Sequence, residues 1–129
     1  MSRKLVYLWA LPNTLIGITI GLLTLGHFRI VDGVIEIHSP RLARLLACLL
    51  VPAAAMTLGH VVIGRNRECL RVTRRHERIH VAQYERWGPF FLPAYGLASL
   101  WLWARGRDAY LENPFEVEAY ANDGSGRAG

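Results

Sequence analysis

His76-Glu77-Arg78-Ile79-His80 matches the pattern H-E-x-x-H. It lies within a stretch from about Val72 to Trp87 whose apolar residues, Val72, Ile79, Tyr84 and Trp87, recur at helical spacing. Gly88-Pro89 ends the pattern. On a helix, residues four apart share a face, so His76 and His80 set two imidazoles side by side. Two neutral imidazoles at that spacing suit one divalent cation, zinc first of all. Glu77, next to the first histidine, would point to the open side of such a cation. There its carboxylate can take a proton from water. A charged helix with solvated histidines would read the same over five residues, so the rest of the chain decides.

At 129 residues the chain has the length of one domain with one modest core. Hydrophobic residues make up 52%, high for a small soluble protein, and the net charge is +5. Arginine carries most of that charge, with a cluster running from Arg65 to Arg78. A basic patch can signal nucleic acid, but no aromatic platform or reader motif accompanies this one, and no nucleic-acid partner is expected. Anionic lipid headgroups suit it better. Cys48 sits in an apolar run, and neither it nor Cys69 has C-x-x-C spacing. That argues against a disulfide framework or a sulfur metal site.

Ser2-Arg3-Lys4 precedes an uncharged run, Leu5 to Leu25, long enough to cross a bilayer. A membrane anchor, a buried core helix and a signal peptide all fit it, although no A-x-A-like cleavage site follows. Between Phe28 and Ser39 the period changes, and Asp32-Gly33 among β-branched residues predicts a hairpin. Leu42 to Ile63 is a second apolar run. It reads either as another membrane helix or as a helix over Leu42–Leu50 followed by a strand over Ala53–Ile63. Arg65 to Arg71 reads as a polar connector. Phe90 to Ala104, with Trp101 and Trp103 near its end, suits a buried or interfacial helix. Asn113-Pro114 opens a last helix. These runs predict a membrane-associated chain, otherwise cytoplasmic. If both long runs span, the metal site is cytoplasmic; if only the first does, it lies outside.

A catalytic zinc site needs a third protein ligand. The downstream helical carboxylates are Glu112, Glu116 and Glu118. H-E-x-x-H followed some tens of residues later by a helical E-x-x-A resembles the gluzincin metallopeptidases, and in size the chain resembles the minigluzincins. His76 to Tyr84, then Gly88-Pro89-Phe90-Phe91, then Asn113 to Tyr120 are similar to a set of small bacterial proteins with a zincin-type site. The likeness covers roughly residues 55 to 122.

The resemblance implies a zinc-dependent peptidase acting on a peptide or protein, with Glu77 as general base. His76, His80 and a glutamate would be its ligands. It implies an α+β, mainly helical fold: a zincin-like metal helix, a small sheet or hairpin, and an apolar N-terminal helix. Thr57 to Val61 resembles the substrate-side strand, to which substrate backbone would add. His60 would lie near the site, or be structural. Glu116-x-x-Ala119 and Glu118-x-x-Ala121 both match the family's glutamate pattern. They lie about 200° apart on a helix, so only one can face the metal; the spacing from Pro114 favours Glu116. Where the family has an aspartate this chain has Tyr120 or Asn122, either of which could accept a weaker hydrogen bond. Gln83, three residues after His80, is expected as a supporting donor. Tyr95, Tyr110 and Tyr120 read as core residues.

The expected organisation is an apolar helix over 1–26, a minimal zincin-like domain over 27–122 and a disordered tail over 123–129. The small size and the missing aspartate leave a second expectation open: a membrane-associated protein with a structural zinc site and no turnover.

Overall fold

The computed structural model describes residues 2–49 and 52–124. The fold is α+β and mainly helical. It runs α1 (Arg3–Leu23), β1 (His27–Val31), β2 (Val34–His38), α2 (Pro40–Ala47), β3 (Ala55–Leu58), β4 (Val61–Gly64) and α3 (Arg67–Trp87). A single 3₁₀ turn at Gly88–Phe90 then leads into α4 (Phe91–Ala104) and α5 (Pro114–Asn122).

The four strands form one mixed sheet in the order β1-β2-β4-β3, with β2 and β4 parallel and the outer pairs antiparallel. Asp32 and Gly33 are the two-residue loop of the first hairpin, both with positive φ (51° and 78°), as a primed turn demands. The expected single strand over Ala53–Ile63 is instead a second hairpin. Gly59 has φ 63°, and a Cβ there would lie 2.4 Å from Thr14 Oγ1, so the chain reverses where only glycine fits. The second long apolar run therefore divides into helix and hairpin. Leu50 and Val51 lie outside the described residues.

Strand alternation sends side chains to two layers. Ile37, Val61 and Ile63 join Leu42 and Leu46 of α2 and Leu58, with Ile18 and Ile20 of α1 packed against them. On the opposite face Val34 and Val62 meet Leu70 and Val81 of α3. A third cluster, Ala10, Tyr84 and Phe91 with Tyr95 and Phe115, ties α1 to the helices beyond the sheet.

α3 starts earlier than the expected Val72, because the Asn66 side chain caps it by accepting from the Cys69 N–H at 2.8 Å. Its buried face also differs from the expected stripe. Val72 and Trp87 are exposed, while Leu70, Glu77, His80, Val81, Gln83 and Tyr84 are buried. The motif's polar residues thus take core positions.

Candidate metal centre

α3 turns His76 and His80 toward α5, and the first turns of α5 bring Glu116 between them. The Asn113 side chain sets that phase by accepting from the Phe115 N–H at 3.0 Å, while its amide donates to Tyr95 O and Ser99 Oγ. His76 Nε2 and His80 Nε2 each lie 3.1 Å from Glu116 Oε1. The donor atoms of His76, His80 and Glu116 all fall within 4.8 Å of one another, so this largely buried group could hold a metal ion.

The hydrogen bonds around the group fit that use. Gln83 Nε2 donates to Phe115 O (2.9 Å) and Glu118 Oε1 (2.6 Å), which leaves Gln83 Oε1 to accept from His80 Nδ1 at 2.8 Å. His80 then carries its proton on Nδ1 and presents the Nε2 lone pair to the cluster. His76 Nδ1 bonds Asp123 Oδ2 at 2.8 Å, which fixes the same tautomer. Tyr95 donates to Glu116 Oε2 at 2.6 Å, leaving Oε1 for the cluster. Zinc–ligand bonds of about 2.0–2.1 Å in a tetrahedron put donors about 3.3 Å apart, close to the two imidazole–carboxylate separations of 3.1 Å.

Three lone-pair atoms this near repel one another unless a proton or a metal ion lies among them. In the protonated arrangement, burial lowers the His80 pKa, but the Glu116 hydrogen bond and the Glu77 charge outweigh it and raise it to about 9. His76 moves up as well: burial opposes the shift, while Glu116 and Asp123 drive it. Burial pushes Glu116 up, yet the hydrogen bonds from His76 and His80 prevail and hold it at about 2. Burial keeps Glu77 above the usual carboxylate range, against the pull of both histidines. Its Oε1 accepts from Thr57 Oγ1 at 3.0 Å, joining α3 to the edge strand β3.

Several expected residues take other places. Glu118 faces Gln83 and Arg86 rather than the histidines. Gln83 supports His80 as an acceptor rather than a donor. Asn122 reaches the Glu118 carbonyl at an exposed helix end and does not meet the histidines. Tyr120 lays its ring 4.4 Å from that of His76, and its hydroxyl pairs with Tyr110 at 2.7 Å. Tyr95 reaches the centre itself, beyond the core role expected of it. His60 stacks on Tyr7 at 4.0 Å and bonds Glu85 at 2.7 Å, and is not among the residues that close on Glu116.

Asp123 was placed in the tail by the sequence, yet its side chain is only 5% exposed and bonds His76. It lies seven residues after Glu116, two helical turns on, and so on the same face. That spacing is the signal by which it could have been found. Residues 125–129 of the expected tail lie outside the described residues. A cavity of about 250 Å³ opens elsewhere, lined among others by His27, Arg29, His38 and Arg67, and takes in none of the metal group.

The chain matches no family model, no curated protein and no solved structure.

Proposed function

We propose that this protein is a zinc-dependent peptidase of gluzincin type. The observation that carries the reading is the convergence of two imidazole nitrogens one turn apart on one oxygen of Glu116, with the buried carboxylate of Glu77 on the same helix. His76, His80 and Glu116 would hold the ion, and the donor set of two imidazoles and one carboxylate suits zinc. When bound, zinc supplies Lewis acidity and makes water easier to deprotonate. Glu77 takes the proton from the attacking water and returns it to the leaving amine. Thr57 Oγ1 orients that carboxylate from β3. Asp123 and Gln83 hold the ligand imidazoles in the Nδ1–H tautomer, and Tyr95 fixes the rotation of Glu116.

Among the described residues β3 pairs on one side only, with β4, so its other edge is where extended substrate backbone would add. The Thr57 carbonyl already accepts from the Tyr84 hydroxyl at 3.1 Å, so pairing would use the remaining groups of that edge.

The test is Glu77→Gln. Zinc content should stay at one per chain while hydrolysis of a casein-type substrate disappears; activity that persists in the variant refutes the mechanism. One observation favours a second reading, a structural zinc site without turnover: Glu77, His80 and Glu116 are each about 5–6% exposed. Replacing the ion with cobalt separates the two. A spectrum that shifts on adding a hydroxamate reports an open coordination position, and an unchanged one supports the closed structural site.

A further inference from the structure

We propose that the outer faces of α1 and α4 together form a lipid-docking surface, on which the protein lies against an anionic bilayer while α1 stays packed on its own sheet. Neither a metal ion nor turnover is needed for it.

α1 is long and apolar enough to cross a membrane, but only a third of it is buried. The buried third is tightly fixed. Val6, Ala10, Asn13, Thr14, Gly17 and Gly21 form one face. A Cβ on Gly17 would lie 2.8 Å from Val61, so helix and sheet are in closest contact there. The Asn13 amide donates to Gly88 O, Trp9 Nε1 donates to Arg86 O, and the His60 N–H donates to Thr14 Oγ1. Drawing α1 out to span a bilayer would expose two of the three core clusters and break the buried Asn13 and Thr14 hydrogen bonds. Its other faces carry exposed leucines, among them Leu8 at 61%.

α4 presents the same conflict more sharply. Residues 88–104 hold no charge, and α4 has no polar side to turn to water. A helix apolar all round belongs in a core or against lipid. Only one side of α4 reaches the core, through its buried Phe91 and Leu102, while Leu97 and Trp103 are 67% and 71% exposed. α1 meets the 3₁₀ turn that leads into α4: the rings of Trp9 and of Phe90, itself 61% exposed, lie 5.8 Å apart, so Phe90 carries the exposed apolar surface from α1 to the start of α4.

Charge selects the occupant. Arg3 and Lys4 begin α1, Arg105 and Arg107 follow α4, and no acidic residue interrupts either apolar run. The Arg105 guanidinium lies 4.6 Å over the Trp101 ring. Tryptophan and arginine at the end of an apolar segment is the arrangement of the headgroup layer. Arg3 and Arg107 already pair with Glu85 and Glu112, so Lys4 and Arg105 are the cations that anionic headgroups complement, whereas a second copy would bring another +5 chain against them.

The test is flotation of the full chain with vesicles of phosphatidylcholine, alone or with roughly a third phosphatidylglycerol. The chain should float with the anionic vesicles, and less so in high salt. Leu97→Asp with Trp103→Asp, or Leu8→Asp alone, should each weaken binding by about ten-fold or more. All three positions are exposed, so the circular dichroism should not change. Amide exchange over Val61–Gly64 should be as slow on vesicles as in solution. The proposal is overturned if the chain stays in the aqueous fraction with both vesicles, or if the variants bind as the parent does. It is also overturned if exchange in β4 rises on vesicles, which would mean that α1 has left the sheet. A stable dimer that the α4 variant splits, with no vesicle binding, would assign the face to a second copy instead.

Discussion

Replacing Asp123 asks whether the group at His76 is built for a metal or is an accident of packing. Asp123 Oδ2 lies 2.8 Å from His76 Nδ1, and the carboxylate is 5% exposed. A hydrogen bond with one charged partner, shielded from water, contributes about 1.5–3 kcal/mol. At about 1.4 kcal/mol per decade that is one to two decades of affinity, and loss of such supporting partners typically costs about 10–100-fold in metal binding. Asp123→Ala should therefore weaken zinc binding by about 10–100-fold. Asp123→Asn should fall between Asp123→Ala and the parent, because the amide oxygen still accepts from Nδ1 and keeps the tautomer while the charge is lost. Asn122→Ala is the control: its side chain caps an exposed carbonyl, so binding should stay within about two-fold. A competition titration against a chromogenic chelator reads all three. The reasoning is refuted if Asp123→Ala binds within two-fold of the parent while His76→Ala has lost the metal. It is refuted equally if Asn122→Ala falls as far as Asp123→Ala, which would report fraying of α5 rather than loss of a specific acceptor.

Two further outcomes follow from the same contacts. Without metal, protonated His80 and ionised Glu116 stabilise each other. The His80 pKa is raised from 6.5 to about 9, so its contribution is complete below pH 6.5 and is lost as pH rises through about 9. The Glu116 pKa is lowered from 4.5 to about 2, so its contribution is present above pH 4.5 and is lost as pH falls toward 2. The Tm of chelator-treated protein should accordingly lose this contribution above pH 6.5, whereas the increment added by saturating zinc should grow with pH, since the metal displaces those protons; the opposite trend on adding zinc would exclude His80 as a ligand. Gly59→Ala places a β-carbon at positive φ, 2.4 Å from Thr14 Oγ1 and 2.9 Å from the Ala10 carbonyl, and should cost about 2–4 kcal/mol in urea denaturation.

Local signals were legible and tertiary ones were not. The Asp32-Gly33 turn, the Asn113-Pro114 helix start and the i, i+4 histidines each depend on neighbours within a few residues, and they are where the chain's pattern puts them. Which of Glu116 and Glu118 faces the histidines depends on the rotational phase of α5. The Asn113 cap and its bonds to α4 set that phase across more than ten residues of sequence. An aspartate is expected four residues after the glutamate, whereas the one that bonds His76 lies at seven, where the same face recurs. The expected strand over Ala53–Ile63 concealed a turn because Thr57 before Gly59 and Val61-Val62-Ile63 after it are β-branched and favour extended backbone. α3's buried face was misjudged for a related reason: hydrophobic periodicity finds a core stripe only where the core positions are apolar.

That last failure bears on what the site does for the fold. On a helix of 21 residues, Glu77, His80 and Gln83 occupy positions that ordinarily hold leucine or valine, with exposures between 0% and 6%. Burying such groups is unfavourable unless each finds a partner, and each does: Thr57 for Glu77, Gln83 and Glu116 for His80, Phe115 and Glu118 for Gln83. The partners come from β3 and α5, so the polar network is also what fastens α5 to α3. An apolar helix face would have served a small core better, and a half-satisfied network would have been worse than either. A chain this short has given its central helix to charged and polar groups, and their geometry closes on a point where two imidazoles and a carboxylate need a proton or a metal ion among them. On this argument, whatever fills that point is coupled to the docking of α5.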